Sequence, residues 1–176
     1  MRQINRAAVL GAGVMGATIA AHLANAGLDV LLLDMVPKAL SSEEQAAGLS
    51  LESSQVRNRI ARSGLEGLMK MKPAPLYLSK YAEQISCGNF DDDLPKLQEC
   101  DWVIEVIIEH MPIKLGLFKK IVPNLKAGTV LSTNTSGLSV NVMAEVLPVE
   151  VRRNFMVTHF FNPPRYMRLL EIVPCK

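Results

Sequence analysis

Cysteine is scarce in this chain. There are three, Cys87, Cys100 and Cys175, isolated from one another and odd in number. They form no metal-ligand spacing and no disulfide framework, which points to a reducing, cytoplasmic setting and to buried thiols rather than nucleophiles. Net charge is nearly absent as well. The 19 Lys and Arg against 17 Asp and Glu leave +2, no reason to expect nucleic acid as a partner. No uninterrupted apolar run is long enough to span a bilayer; the best late candidate, Trp102 to Ile108, contains Glu105. Internal repeats and low-complexity linkers are missing, and Asp91-Asp92-Asp93 lacks the spaced pattern of a calcium loop. What is present is 49% hydrophobic and 20% charged residues over 176 positions. That is the make-up of one globular domain, or of one domain within something larger.

The most informative stretch lies near the start. An apolar run, Ala7 to Leu10, reads as a buried strand and breaks into Gly11-Ala12-Gly13-Val14-Met15-Gly16, after which a helical pattern begins. Gly11 permits the tight turn out of the strand. Gly13 has no side chain, so a pyrophosphate can approach the backbone, and Gly16 lets the helix pack closely on the strand. The helix N-terminus offers unpaired N–H groups to the phosphates. A second apolar run, Leu28 to Leu33, ends in Asp34. Asp34 stands at the spacing of the carboxylate that accepts hydrogen bonds from an adenosine ribose. An acid there repels a ribose 2′-phosphate and so favours NAD over NADP.

The rest of the chain alternates strand and helix, which implies an α/β fold of the Rossmann type, doubly wound with a mostly parallel sheet. Met15, Ile19 and Leu23 recur every four residues along the first helix. A long helical excursion, about 41–75, separates the second strand from the third. It opens at Ser41-Ser42-Glu43-Glu44, with acids in a first helical turn, and closes at Pro73-Ala74-Pro75. Arg57, Arg59, Arg62, Lys70, Lys72 and Lys80 give it a basic face, which suits either solvent or a phosphorylated ligand such as coenzyme A. Asp101 to Glu109 reads as a fourth strand with its carboxyl end at Glu109. A helix follows, with Lys114, Lys119 and Lys120 on its outer faces. Thr129 to Ser132 and Phe155 to Phe161 are further strands, and Leu169 to Val173 is the last.

Polar residues collect at the carboxyl ends of these strands: the glycine loop, Asp34, Glu109, Ser136 and His159. Open α/β sheets bind ligands on that edge. His159 sits between aromatic residues and Glu171 within the apolar run Leu169 to Val173. Taken singly, each suits a packed or edge position. Together they suggest a dyad, in which the carboxylate fixes the imidazole tautomer and the other ring nitrogen takes a proton.

Ser132-Thr133-Asn134-Thr135-Ser136, then His159-Phe160-Phe161-Asn162-Pro163, then Leu170-Glu171 resemble the 3-hydroxyacyl-CoA dehydrogenases of fatty-acid β-oxidation. Asp34-Met35-Val36-Pro37, Lys72 to Pro75 and Asn162-Pro163-Pro164-Arg165-Tyr166 are similar to a branch in which an enoyl-CoA hydratase follows the dehydrogenase. The resemblance implies that His159 is the catalytic base, Glu171 its orienting acid and Ser136 the hydroxyl at the substrate C3 oxygen. It implies NAD contacts from Gly11, Ala12, Gly13, Val14, Met15, Gly16, Asp34, Glu109, Lys114, Ser136 and Asn162. Ser54 and Arg62 become the coenzyme A contacts of the excursion. The substrate is then a 3-hydroxyacyl-CoA, and residues 1–176 are the NAD-binding domain. A helical substrate and dimerisation domain would follow Lys176 in a longer, oligomeric protein. Two other readings stay open. One is a β-hydroxyacid dehydrogenase, which shares the opening Gly-x-Gly-x-Met-Gly but places its base elsewhere. The other is an NAD-binding module without catalysis.

Overall fold

The computed structural model describes residues 3–176, so residues 1 and 2 of the expected domain lie outside it. Seven strands form one sheet: β1 (Arg6–Leu10), β2 (Asp29–Asp34), β3 (Ile85–Asn89), β4 (Trp102–Glu105), β5 (Val130–Thr133), β6 (Phe155–Phe160) and β7 (Leu170–Pro174). Their order is β3-β2-β1-β4-β5-β6-β7. β1 to β6 are parallel, and β7 returns antiparallel to β6. The fold is the doubly wound, mostly parallel sheet that the alternation implied. The strand order reverses beside β1, which pairs with β2 on one side and β4 on the other. Just beyond the carboxyl ends of β1 and β4 a crevice opens.

The central strands are apolar because both their faces are covered. Ala7, Ala8, Val9 and Leu10 have no exposed surface, nor do Leu32 and Leu33. One core layer packs α1 (Val14–Asn25) with α4 (Arg59–Leu68) on the sheet. The other packs α5 (Met111–Ile121) and α6 (Val140–Ala144) on the opposite face. α1 is buried beyond the one stripe its spacing suggested: Ala17, Ala20, Ala21 and Ala24 join Ile19 and Leu23 inside, while Met15 is half-buried. The helix is covered by α4 as well as by the sheet, and its small residues allow that double contact.

The excursion is helical, as expected, and is divided into α2 (Ser42–Ala46), α3 (Ser54–Arg57) and α4, followed by a 3₁₀ turn at Ser79–Gln84. Two other expectations need correcting, at the end of β4 and at Lys114. Ser41 and Glu44 form a capping box that starts α2, and Gly48, at φ +68°, lies just beyond its end. β4 ends at Glu105, not Glu109, because the buried Glu105 carboxylate accepts a hydrogen bond from Ile107 N (2.8 Å) and turns the chain out of the sheet. Lys114 does not share an outer face with Lys119 and Lys120. It is 1% exposed, and its Nζ meets the Glu105 carboxylate at the end of β4. α7 (Val149–Arg152) leads into β6. No helix among the described residues is long and apolar enough to cross a membrane.

Candidate active site

The crevice begins at the glycine loop. Gly11 has φ +111°, and a Cβ there would lie 2.6 Å from Val106 O, so both backbone strain and space require glycine. A Cβ on Gly16 would stand 1.8 Å from Gly11 O, which is how α1 meets β1 so closely. Gly13 is the opposite case: nothing lies within 4 Å of its missing Cβ, and its backbone is open to the crevice. No side chain caps the N-terminus of α1 and no acid sits in its first turn. Its free N–H groups are left for an anion.

Asp34, at the end of β2, holds this loop. Its Oδ2 accepts from Ala12 N and its Oδ1 from Met35 N, both at 2.6 Å. The carboxylate is therefore fixed, half-buried, beside the glycines. A cavity of about 640 Å³ lies over it, lined by Gly11, Gly13, Asp34, Phe90, Ile107 and Leu117 among others. A second, of about 580 Å³, shares Gly13 and runs on past Glu109, Lys114, Ser136, His159 and Asn162. Val14 and Met15 line it too. The two together form a trough with a fixed carboxylate at one end, an open backbone in the middle and an imidazole at the other. An extended dinucleotide fits that donor and acceptor sequence.

His159 and Glu171 come together through register. They are directly opposite in the antiparallel β6–β7 pair, and His159 Nδ1 lies 2.8 Å from Glu171 Oε2. The His159 ring also packs on Phe161, with centroids 4.7 Å apart. A carboxylate at Nδ1 holds the proton there and leaves Nε2 as the acceptor. Such a pair can take a proton from a hydroxyl and carry the resulting charge. Ser136 is exposed in the same cavity, and among the described residues its hydroxyl has no protein partner.

Between these ends lies a polar network that sequence reasoning largely missed. Glu105, fully buried, receives Lys114 Nζ at 2.6 Å, Ile107 N at 2.8 Å and the Thr133 hydroxyl. Lys114 also donates to Ile107 O and reaches Glu109 Oε2, each at 3.3 Å. Glu109 Oε1 accepts from the Thr135 hydroxyl, from Ser136 N (3.2 Å) and from Gly137 N (3.3 Å). Partial burial works against the ionised form of Glu109. The Thr135 hydroxyl, the Lys114 charge and the Gly137 N–H outweigh it and hold the carboxyl below its ordinary value. The glutamate thus ties the loop carrying Ser136 to the lysine below it. Asn134 was also missed: its Oδ1 accepts from Phe160 N at 2.8 Å, bracing the end of β6 next to His159. The signal for Glu105 was an acid inside an apolar strand, followed nine residues later by a lysine on the next helix.

Ser54 and Arg62 are brought to none of this. Ser54 opens α3, Arg62 lies on α4, and both are exposed. Neither lines the two cavities, nor a third of about 410 Å³ between the glycine loop and α4. Ala12 and Val14 line that third space together with Arg59, Ser63, Gly64 and Gly67. The basic face is partly consumed: Arg57 pairs with Asp92 at 2.6 Å, and Arg59 pairs with Glu44. The cysteines are free thiols, and burial pushes Cys87 and Cys100 up to about 11, so neither is a nucleophile near neutral pH.

Comparison with known proteins gives the family. Residues 6–176 match the family model described as "3-hydroxyacyl-CoA dehydrogenase, NAD binding domain". A Bacillus subtilis protein named "Probable 3-hydroxyacyl-CoA dehydrogenase" is 50% identical over 99% of this chain, which corresponds to 22% of that relative. The "Fatty acid oxidation complex subunit alpha" of Psychrobacter arcticus is 34% identical over 97% of the chain, 21% of the relative. The crystal structure of 3-hydroxybutyryl-CoA dehydrogenase from Escherichia coli K12 superposes with a TM-score of 0.72 at 25% identity. It covers 97% of this chain and 32% of that one. The chain therefore spans about a fifth of the length of these two curated relatives.

Proposed function

Because the chain belongs to the family of 3-hydroxyacyl-CoA dehydrogenase NAD-binding domains, with NAD as cofactor, we propose that it serves an enzyme oxidising (S)-3-hydroxyacyl-CoA to 3-ketoacyl-CoA in fatty-acid β-oxidation. NAD, when bound, supplies the acceptor for the hydrogen and electron pair leaving C3. The chain's residues do the rest. Nε2 of His159 removes the hydroxyl proton, and Glu171 stabilises the imidazolium that forms. The Ser136 hydroxyl hydrogen-bonds the C3 oxygen. Asp34 accepts from the adenosine ribose, while Gly11 to Gly16 and the N-terminus of α1 receive the pyrophosphate. Glu109, Lys114 and Asn162 line the nicotinamide side.

The observation that carries this reading is the His159–Glu171 pair, set in one cavity with Ser136 and joined through Gly13 to Asp34. Coenzyme A is assigned to the helical excursion, with Ser54 and Arg62 as its contacts. Arg62→Ala then raises KM for acyl-CoA and leaves KM for NAD alone. In the reading adopted here a helical domain follows Lys176, closes over the substrate and builds an oligomer, in a cytoplasmic protein. The test is substrate class. The full-length protein should reduce NAD with 3-hydroxybutyryl-CoA and not with free 3-hydroxyacids. Preference for the free acids would favour a β-hydroxyacid dehydrogenase instead. No turnover of either kind, with NAD bound, would leave a binding module.

A further inference from the structure

β7 carries Glu171, yet little holds it. Among the described residues it is the last strand of the sheet, paired with β6 alone, and all five of its residues are exposed. Within these residues its position depends on β6 and on how its two ends are tied. The downstream end is tied to the body of the domain: Lys176 N donates to Asn141 Oδ1 at 2.8 Å, and Cys175 Sγ lies 3.4 Å from Arg152 O. The upstream end is nearer the chemistry. Phe160↔Leu170 is the outermost pairing there, and His159↔Glu171 is the next one in. Fraying of a single step at that end would leave the dyad as the terminal pair, and a second step would unseat it.

The connector between Phe160 and Leu170 is fastened by Arg165. Its Nη1 donates to Ala74 O at 2.6 Å and to Leu76 O at 2.8 Å. The guanidinium lies over the Tyr77 ring, 4.3 Å from the centroid, and 5.0 Å from that of Tyr166. Tyr166 Oη donates to Ala74 O as well, at 3.0 Å. The loop that receives these contacts is itself clamped to the end of α1. Asn25 Nδ2 donates to Pro75 O, and Tyr77 N donates to Asn25 Oδ1, both at 2.8 Å. A continuous set of contacts thus runs from α1, through the end of the helical excursion, to the turn that feeds β7. A planar guanidinium suits the place because it meets two carbonyls and stacks on a ring at once. An ammonium can donate to carbonyls but has no plane to stack on the ring.

We propose that Arg165 is a positioning residue: by locking the β6–β7 connector onto the Ala74–Tyr77 loop, it keeps Glu171 opposite His159. The proposal rests on the dyad reading above. Its test uses full-length protein carrying ¹⁵N-labelled histidine. The downfield Nδ1 proton resonance of His159, assigned by its absence in His159→Gln, reports the bond to Glu171 directly. Arg165→Met should weaken or abolish that resonance and lower kcat about tenfold, as expected of a misplaced catalytic group, with Kd for NAD unchanged. Arg165→Lys keeps the charge and most of the stem and should give an intermediate kcat. An intact resonance with unchanged kcat in Arg165→Met overturns the proposal. So does an unmodified kcat in Arg165→Lys, which decides the matter if Arg165→Met does not fold. Absence of the resonance in the unmodified protein, or turnover surviving in His159→Gln, would instead overturn the dyad reading itself.

Discussion

Lys114→Met removes one half of an ion pair that has almost no contact with water. Glu105 is fully buried and Lys114 is 1% exposed, with Nζ and Oε1 2.6 Å apart. Methionine fills similar volume, so the change is chiefly electrostatic. The carboxylate of Glu105 would keep two donors, Ile107 N and the Thr133 hydroxyl, but lose its only cationic partner among the described residues. Breaking a buried pair from one side typically costs about 3–5 kcal/mol, and the two surviving hydrogen bonds place this case near ~3 kcal/mol. Urea unfolding reads the effect. With m near ~2 kcal/mol per molar, the midpoint should fall by about 1.5 M. The double variant Glu105→Gln/Lys114→Met, which removes both charges, should recover more than half of that loss. A midpoint shift below ~0.5 M for Lys114→Met would mean that the pair is not buried as described, and the network under Ser136 would lose its basis.

Other outcomes follow from the same geometry. Gly11→Ala must place a Cβ 2.6 Å from Val106 O at a φ of +111°, so it should abolish NAD binding in a titration and lower the melting temperature. Asp34→Asn replaces the carboxylate that orders Ala12 N and Met35 N, and should weaken NAD at least ~tenfold while narrowing the preference over NADP, read from paired Kd values. Lys126 and the backbone N–H groups of Asn5 and Arg6 hold Asp101 at about 2, below its ordinary 3.8. A carboxyl depressed on folding adds stability that is present above its unfolded value and lost as pH falls through the folded one. Stability should therefore decline between pH 3.8 and about 2, and Asp101→Asn should flatten that part of the curve. Residues 1–176 alone should bind NAD yet turn over acyl-CoA poorly; substantial turnover would refute the need for a further domain.

The sheet and the glycine loop were legible in the sequence because their signals are local. Gly11, Gly13 and Gly16 each answer a backbone requirement within a few residues of themselves, and a strand covered on both faces must be apolar throughout. The dyad was only half legible. His159 and Glu171 are twelve positions apart, and nothing in that spacing says that β7 runs antiparallel; direct opposition follows once the register of the pair is known. Lys114 was legible only through the family resemblance, as a residue near the nicotinamide, and its pairing with the buried Glu105 was not read from the sequence. Helical periodicity put Lys114 outside with Lys119 and Lys120, since periodicity knows hydrophobicity and not which buried acid lies below. The excursion shows a similar limit. Its arginines looked like one basic face, but Arg57 turns to Asp92, thirty-five positions away, a partner only tertiary structure supplies.

His159 is the group on which the chemistry rests. NADH formation from 3-hydroxybutyryl-CoA by full-length His159→Gln protein, with NAD binding measured alongside, tests it most directly. The account predicts that NAD binds as before and that turnover falls by at least about a hundredfold, the contribution of a positioned base. Turnover at the unmodified rate would contradict it.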